Sequence, residues 1–298
     1  MSDPQASVTV VVASLGRPDA LADLLAALQG QTSPPARILL SVTDPADVPA
    51  EIPAVPSVEI LIGPKGSCAQ RNSALDRLTS DCDLVFFCDD DYVPSRFALE
   101  RAQAFFAVNP DVAGATGKLL ADGINGPGIA IDEALAMIRV YEEQAPPPPV
   151  IRRDHDGLYG CNMMFRRSAI GMVRFDERLP LYGWQEDIDF GVQIRAQGGG
   201  RLVTTHCFAG VHRGEKRGRS PGVRIGYSQV VNPVYLARKG TMQPGFARRI
   251  VARNVIANLY HAFRPEPWVD RLGRVKGNWL GLSDLVRGRV TPERIIHL

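Results

Sequence analysis

The chain is poor in most of the features that mark a specialised class of protein. Its five cysteines (Cys68, Cys82, Cys88, Cys161, Cys207) are odd in number and show no C-x-x-C spacing, which argues against a disulfide framework or a zinc ribbon and suits a reducing, cytoplasmic setting. No run of about 18 apolar residues occurs, and the opening "MSDPQASVTVVVAS" lacks the basic start and apolar length of a signal peptide. The sequence therefore predicts neither a membrane span nor export. Neither G-x-x-x-x-G-K-[ST] nor G-x-G-x-x-G is present, so an ATPase and a dinucleotide enzyme are poorly supported. Net charge is only +2, from 34 Lys+Arg against 32 Asp+Glu, and gives no signature for nucleic acid.

What is there is an ordinary globular composition, 45% hydrophobic and 22% charged in 298 residues, with the charge unevenly placed. From Ala237 onward 12 Arg/Lys stand against 4 Asp/Glu, a local +8 that leaves −6 on the first 236 residues. That asymmetry points either to an anionic partner for the C-terminal part or to a solvated helical face.

Short apolar runs alternate with helical patterns through the first 120 residues. "VTVVVA", "RILLSV", "VEILIG" and "DLVFFC" read as buried strands, and the helix opened by Pro18 and Asp19 carries Leu21, Leu24, Leu25 and Leu28 at helical spacing up to Gly30. "GSCAQRNSALDRLTS" reads as a second helix with Ser67 as its N-cap. Such alternation predicts βαβ units and a mostly parallel sheet flanked by helices, with the ligand crevice at the carboxyl ends of its strands. Beyond it, "SRFALERAQAFFAVNP" predicts a helix and "VAGATGKLL" a strand. Residues 121–150, ending in "APPPPV", read as a loose excursion. "GLYGCNMMFRRSAI" predicts a strand with a helical turn, "LYGWQEDIDFGVQIRAQGG" a loop entering a helix, and "RLVTT" another strand. From about Ser228 the chain is helical and basic. The boundaries so read are a catalytic domain over 1–227, with halves of about 1–118 and 119–227, and a helical extension over 228–298.

The chemistry concentrates at that crevice. In "LVFFCDDDYVP" a buried strand runs into Asp89, Asp90 and Asp91. A helix cap needs one acid; three adjacent carboxylates repel unless a divalent cation relieves them, and hard oxygen ligands suit magnesium or manganese together with a substrate phosphate. In extended backbone positions 89 and 91 face one side and 90 the other. "GWQEDIDFG" sets Glu186, Asp187 and Asp189 at a helix start behind the aromatic "LYGW", where Trp184 and its neighbours raise a carboxylate's pKa by desolvation, as a general base requires. "HRGEKRGRS" joins His212 to Arg213, Lys216, Arg217 and Arg219 in a cationic loop suited to closing over phosphates. Lys65, Arg71 and Asn72 surround a helix start that could attract phosphate.

In their order and spacing, "VTVVVASLGRPDALADLLAALQGQT", "KGSCAQRNSAL", "FFCDDDYVP", "YGCNMMFRRSAI", "GWQEDIDFGVQIRAQGG" and "HRGEKRG" resemble the family 2 glycosyltransferases of GT-A fold, over roughly residues 8–235. The resemblance implies an inverting, metal-dependent transfer of sugar from a nucleotide-diphosphate donor, with uridine diphosphate the expected carrier, to a hydroxyl on a glycan or lipid-linked acceptor in polysaccharide or glycoconjugate synthesis. It implies Mn2+ or Mg2+ held by Asp91, Asp89 and His212, and Asp187 as base with Glu186 beside it. Ser14, Arg17, Asp44, Lys65, Arg71, Asn72, Asp89, Asp90, Trp184, Arg213, Arg217 and Arg219 would surround the donor. Two departures stand out. Ser14-Leu15-Gly16 replaces the usual run before Arg-Pro, and after the second strand Asp44 is followed by Pro45 where the family has a second acid. Two rival readings are a sugar nucleotidyltransferase and a non-catalytic nucleotide- or carbohydrate-binding protein. For the basic C-terminus, packing on the domain competes with peripheral contact at the inner face of a membrane.

Overall fold

The computed structural model describes residues 6–218 and 220–298. The β-branched run forms β1 (Val8–Ala13), followed by α1 (Pro18–Gln29), β2 (Arg37–Val42), β3 (Ser57–Ile62), α2 (Ser67–Leu75) and β4 (Leu84–Asp89). These strands are parallel in the order β3-β2-β1-β4, and their register sets Ala13 beside both Ser41 and Asp89, so the strand ends share one rim. The second half is mixed. It comprises β5 (Tyr92–Pro94), α3 (Ala98–Val108), β6 (Val112–Asp122), α4 (Ile131–Glu142), β7 (Ile151–Asp154), β8 (Asn162–Arg166), α5 (Arg167–Ile170), α6 (Glu186–Ala196) and β9 (Arg201–His212). β8 inserts antiparallel between β4 and β6, and among the described residues the sheet has nine strands in the order β3-β2-β1-β4-β8-β6-β9-β5, with β7 on β9.

Because side chains alternate across a strand, the apolar runs feed two cores. Val10, Val12, Ile38, Leu40 and Phe86 pack on one face with Leu21, Leu24, Leu28 and Phe105. Val11, Leu39, Phe87 and Phe165 pack on the other with Phe175 and Phe190. There Phe175 and Phe190 stack with centroids 3.9 Å apart, while Phe87 meets both edge-on. Burying each of these rings contributes on the order of 2–3 kcal/mol, which anchors α6 beneath the rim.

Three local expectations are corrected. The N-cap of α2 is Gly66, at φ +133°, and Ser67 Oγ donates instead to the Tyr182 carbonyl at 3.1 Å. A Cβ at Gly66 would lie 3.2 Å from the Leu181 nitrogen, so glycine serves both the dihedral and the space. Residues 121–150 contain the helix α4, which starts on Asp132 and Glu133 and buries Ala134, Ile138 and Tyr141 on one face. Finally, β9 runs through to His212 rather than stopping at Thr205, because it changes partners from β7 and the start of β6 to β5 and the end of β6.

Three further helices close the chain, α7 (Gly222–Lys239), α8 (Pro244–Ala262) and α9 (Arg271–Val286). α7 and α9 meet backbone to backbone, since a Cβ on Gly226 would collide with the Arg274 carbonyl and one on Gly277 with that of Val223. All five cysteines are buried and unpaired, and among the described residues no helix is long and apolar enough to cross a membrane.

Candidate functional site

The acids at the end of β4 are sorted by the strands around them. β5 pairs Tyr92 with His212, and β6 pairs Asp122 with His212, so the last residue of β9 arrives beside Asp91. One ligand atom from each of Asp89, Asp91 and His212 lies within 4.8 Å of the others. His212 Nε2 is 3.4 Å from Asp91 Oδ1 and 3.8 Å from Asp89 Oδ2, while Nδ1 sits 2.8 Å from Asp122 Oδ1. Tyr159 donates its hydroxyl to the other oxygen of Asp122 at 2.9 Å. Asp122 and Tyr159 thus orient the imidazole, the arrangement found behind metal-ligating histidines.

The donor set fits a hard divalent cation. Asp91 Oδ1 is buried with no hydrogen-bond donor, Asp91 Oδ2 accepts the Glu215 N–H at 2.6 Å, and two carboxylates with one imidazole suit manganese or magnesium. The electrostatics agree. Burial disfavours charge on both partners, yet the hydrogen bond of His212 to Asp122 and the closeness of Asp91 push the imidazole up to about 10, and the nearby His212 holds Asp91 down at about 2. The carboxylates demand a positive charge at Nε2.

Asp90 turns the other way. Its side chain is 1% exposed, against 32% for Asp89, and it accepts from Ser14 Oγ at 2.7 Å and pairs with Arg17 Nη1 at 3.1 Å. Burial, with Asp91 adding to it, pushes Asp90 up to about 7 despite Arg17. Asp90 and Ser14 therefore lock the β1–α1 loop onto the rim, assisted by Gln70, which donates to the Ser14 and Ser41 carbonyls at 2.9 and 2.8 Å.

Arg71 joins the second acidic cluster to the first. Its guanidinium is 3.2 Å from Asp89 and 2.6 Å from Glu186, and lies over the Phe175 ring at 5.3 Å. α6 begins after Gln185, which holds a left-handed φ of +77° and so aims Glu186 and Asp187 inward. Asp187 accepts the Gly160 N–H at 3.0 Å, and burial raises its pKa. Burial, with Asp187 adjacent, pushes Glu186 up to about 8 against the pull of Arg71.

Other expected residues stand elsewhere. Asn72 saturates its amide within the fold, donating to Phe175 O and Glu177 and accepting the Phe175 N–H. Asp44 is exposed and caps a short turn by accepting the Ala46 N–H, whereas Asp47, which sequence reasoning passed over, is buried and takes the Gly16 N–H at 2.7 Å. Arg213 pairs with Asp23 at 2.7 Å and Arg217 with Asp19 at 3.3 Å, so both address α1. Arg219 lies outside the described residues. Ser14, Arg17, Lys65, Asp89, Asp91, Trp184 and His212 all line one cavity of about 890 Å³, whose far wall is built by α7, α8 and α9.

No protein-family model matches the chain, and no curated protein matches it. Among solved structures, residues 1–349 of TarS from S. aureus superpose with a TM-score of 0.54 at 15% identity, covering 97% of this chain and 82% of that one. The mannosyltransferase PcManGT from Pyrobaculum calidifontis, in complex with GDP-Man and Mn2+, superposes with a TM-score of 0.52 at 15% identity over 99% of this chain and 79% of its own. At this identity the likeness is one of fold, a mixed α/β GT-A-like sheet flanked by helices.

Proposed function

We propose that the protein is a metal-dependent, inverting glycosyltransferase of family 2 type, acting on a nucleotide-diphosphate sugar and a hydroxyl acceptor in polysaccharide or glycoconjugate synthesis. The observation that carries this reading is the convergence of Asp89, Asp91 and His212 at the sheet rim, with Arg71 linking Asp89 to Glu186, the neighbour of Asp187. PcManGT, which shares the fold, was solved with GDP-Man and Mn2+, so guanosine donors belong beside uridine donors. We take residues up to 227 as the catalytic unit and the rest as an extension that completes the cavity wall.

In this mechanism Asp89, Asp91 and His212 would hold the cation, which when bound offsets charge on the leaving diphosphate. Ser14 and Arg17 hold the first loop against the donor, and Lys65 and Trp184 face it from the cavity wall. Asp187 takes the acceptor's hydroxyl proton as the oxygen attacks the anomeric carbon from the face opposite the diphosphate. Its raised pKa favours that proton, and the Gly160 N–H keeps the carboxylate from rotating away. A single displacement with one base inverts configuration.

A panel of uridine and guanosine diphosphate sugars with Mn2+ tests the reading through thermal shift and release of free nucleotide. One donor should stabilise the protein only with metal, and Asp187→Asn should keep that shift while turnover falls roughly 10²–10⁴-fold. Turnover at the wild-type rate in Asp187→Asn would remove the residue from the mechanism.

A further inference from the structure

Helices α8 and α9 carry their polarity the opposite way from helices at the edge of a fold in water. The inward face of α8, with Ile250, Arg253, Asn254, Ala257, Asn258 and His261 at helical spacing, lines the polar cavity. Opposite it Ile256, Leu259 and Phe263 point to solvent, Phe263 being 87% exposed. α9 repeats the pattern. Gly277 and Gly281 pack on α7, and the opposite stripe of Leu272, Trp279 and Val286, spaced one heptad apart, is bare, with Trp279 72% exposed. The two helices are neighbours, joined by Asn258 to Asn278 at 2.9 Å and Arg271 to Asn258 at 3.0 Å. Single exposed apolar side chains are ordinary; stripes on two adjoining helices are an interaction surface.

Charge identifies the occupant. The segment from Ala237 onward carries +8, and Arg248, Arg249, Arg264 and Lys276 are exposed, with no carboxylate within ion-pair distance among the described residues. A second copy would bring the same positive charge against itself. We propose that α8 and α9 seat the protein on an anionic lipid bilayer, with Ile256, Phe263, Leu272 and Trp279 in the boundary between headgroups and acyl chains and the four cations among the phosphates. The contact is peripheral, and it is independent of the proposed transfer reaction.

Sedimentation of the full chain with vesicles of phosphatidylcholine, alone or with about one third phosphatidylglycerol, tests this directly. Binding should be at least about tenfold tighter to the anionic vesicles and should weaken in ~0.5 M salt. The triple variant Ile256→Ser, Phe263→Ser, Trp279→Ser should lose about tenfold or more in vesicle affinity while its melting temperature stays close to that of the wild type, since these side chains already face water. Equal binding to both vesicles, or undiminished binding by the triple variant, overturns the proposal. So does a dimer in light scattering that the substitutions dissociate, which would give the stripes to a second copy.

Discussion

The two acidic clusters, Asp89 to Asp91 and Glu186 to Asp189, look alike in sequence and are partitioned alike by the fold. In each, one acid turns from the site and is consumed by structure: Asp90 by Ser14 and Arg17, Asp189 by Lys239 at 2.8 Å and Thr241 at 2.6 Å. Of the remaining acids, Asp89 and Glu186 face one another across Arg71. The clusters differ in the charge they meet. Asp91 lies against His212 and is held anionic, whereas Glu186 is buried beside the half-buried Asp187 and both are driven towards the protonated form. A carboxylate's neighbours, more than its residue type, decide whether it suits a cation or a proton.

The sharpest break of this comparison is Asp91→Ala. Titration calorimetry should show Mn2+ binding reduced below detection, because two ligands cannot replace three, while Asp122→Asn should weaken binding about 10–100-fold by freeing the imidazole. Retained affinity in Asp91→Ala would move the metal elsewhere. Next in size are the two inward acids. Asp90→Ala should cost roughly 1–3 kcal/mol in denaturant unfolding, since it strands the buried Ser14 hydroxyl, and Asp189→Ala about 1–2 kcal/mol, since its partners Lys239 and Thr241 reach solvent, with Mn2+ affinity in Asp189→Ala unchanged. A metal-binding loss in Asp189→Ala equal to that in Asp91→Ala would collapse the distinction between the roles.

Smaller per pH unit is a titration effect that separates the clusters. Glu186 titrates near 8 when folded and near its ordinary 4.5 when unfolded, so between those values the native state holds the extra proton and stability falls as pH rises. The slope is at most about 1.4 kcal/mol per pH unit, and Glu186→Gln should flatten it in melts across that window. Asp91, held down, contributes the opposite sign, a stability present above the ordinary carboxylate range and lost as pH falls towards 2. At the bottom of the scale, Asp44→Ala should change unfolding by no more than about 0.5 kcal/mol and leave donor binding intact, because the residue is exposed and only caps a turn.

Much of the architecture was legible because it depends on local pattern. β-branched runs, the Pro18–Asp19 helix start and the strand-end acids each signal through neighbouring residues, and Asp89 and Asp91 stand out that way, whereas His212 is a ligand candidate only through the resemblance. Asp122, Tyr159, Gln70 and Asp47 were not, since each acquires its part from a strand or loop remote in sequence. Asp122 meets His212 because a sheet register pairs them across 90 positions. α4 was missed because the proline run beyond it dominates the composition of its segment, although Ala134, Ile138 and Tyr141 do recur at helical spacing.

The sequence by itself determined the parallel βαβ half, the acids at its rim and the basic apolar character of the C-terminal helices, because hydrophobic period and charge act over a few residues. Only the tertiary structure decided which acid faces a histidine, which faces an arginine and which face of α8 meets the cavity. Those outcomes depend on helix packing and on strand register, where a shift of one residue turns every side chain of the strand to the other side.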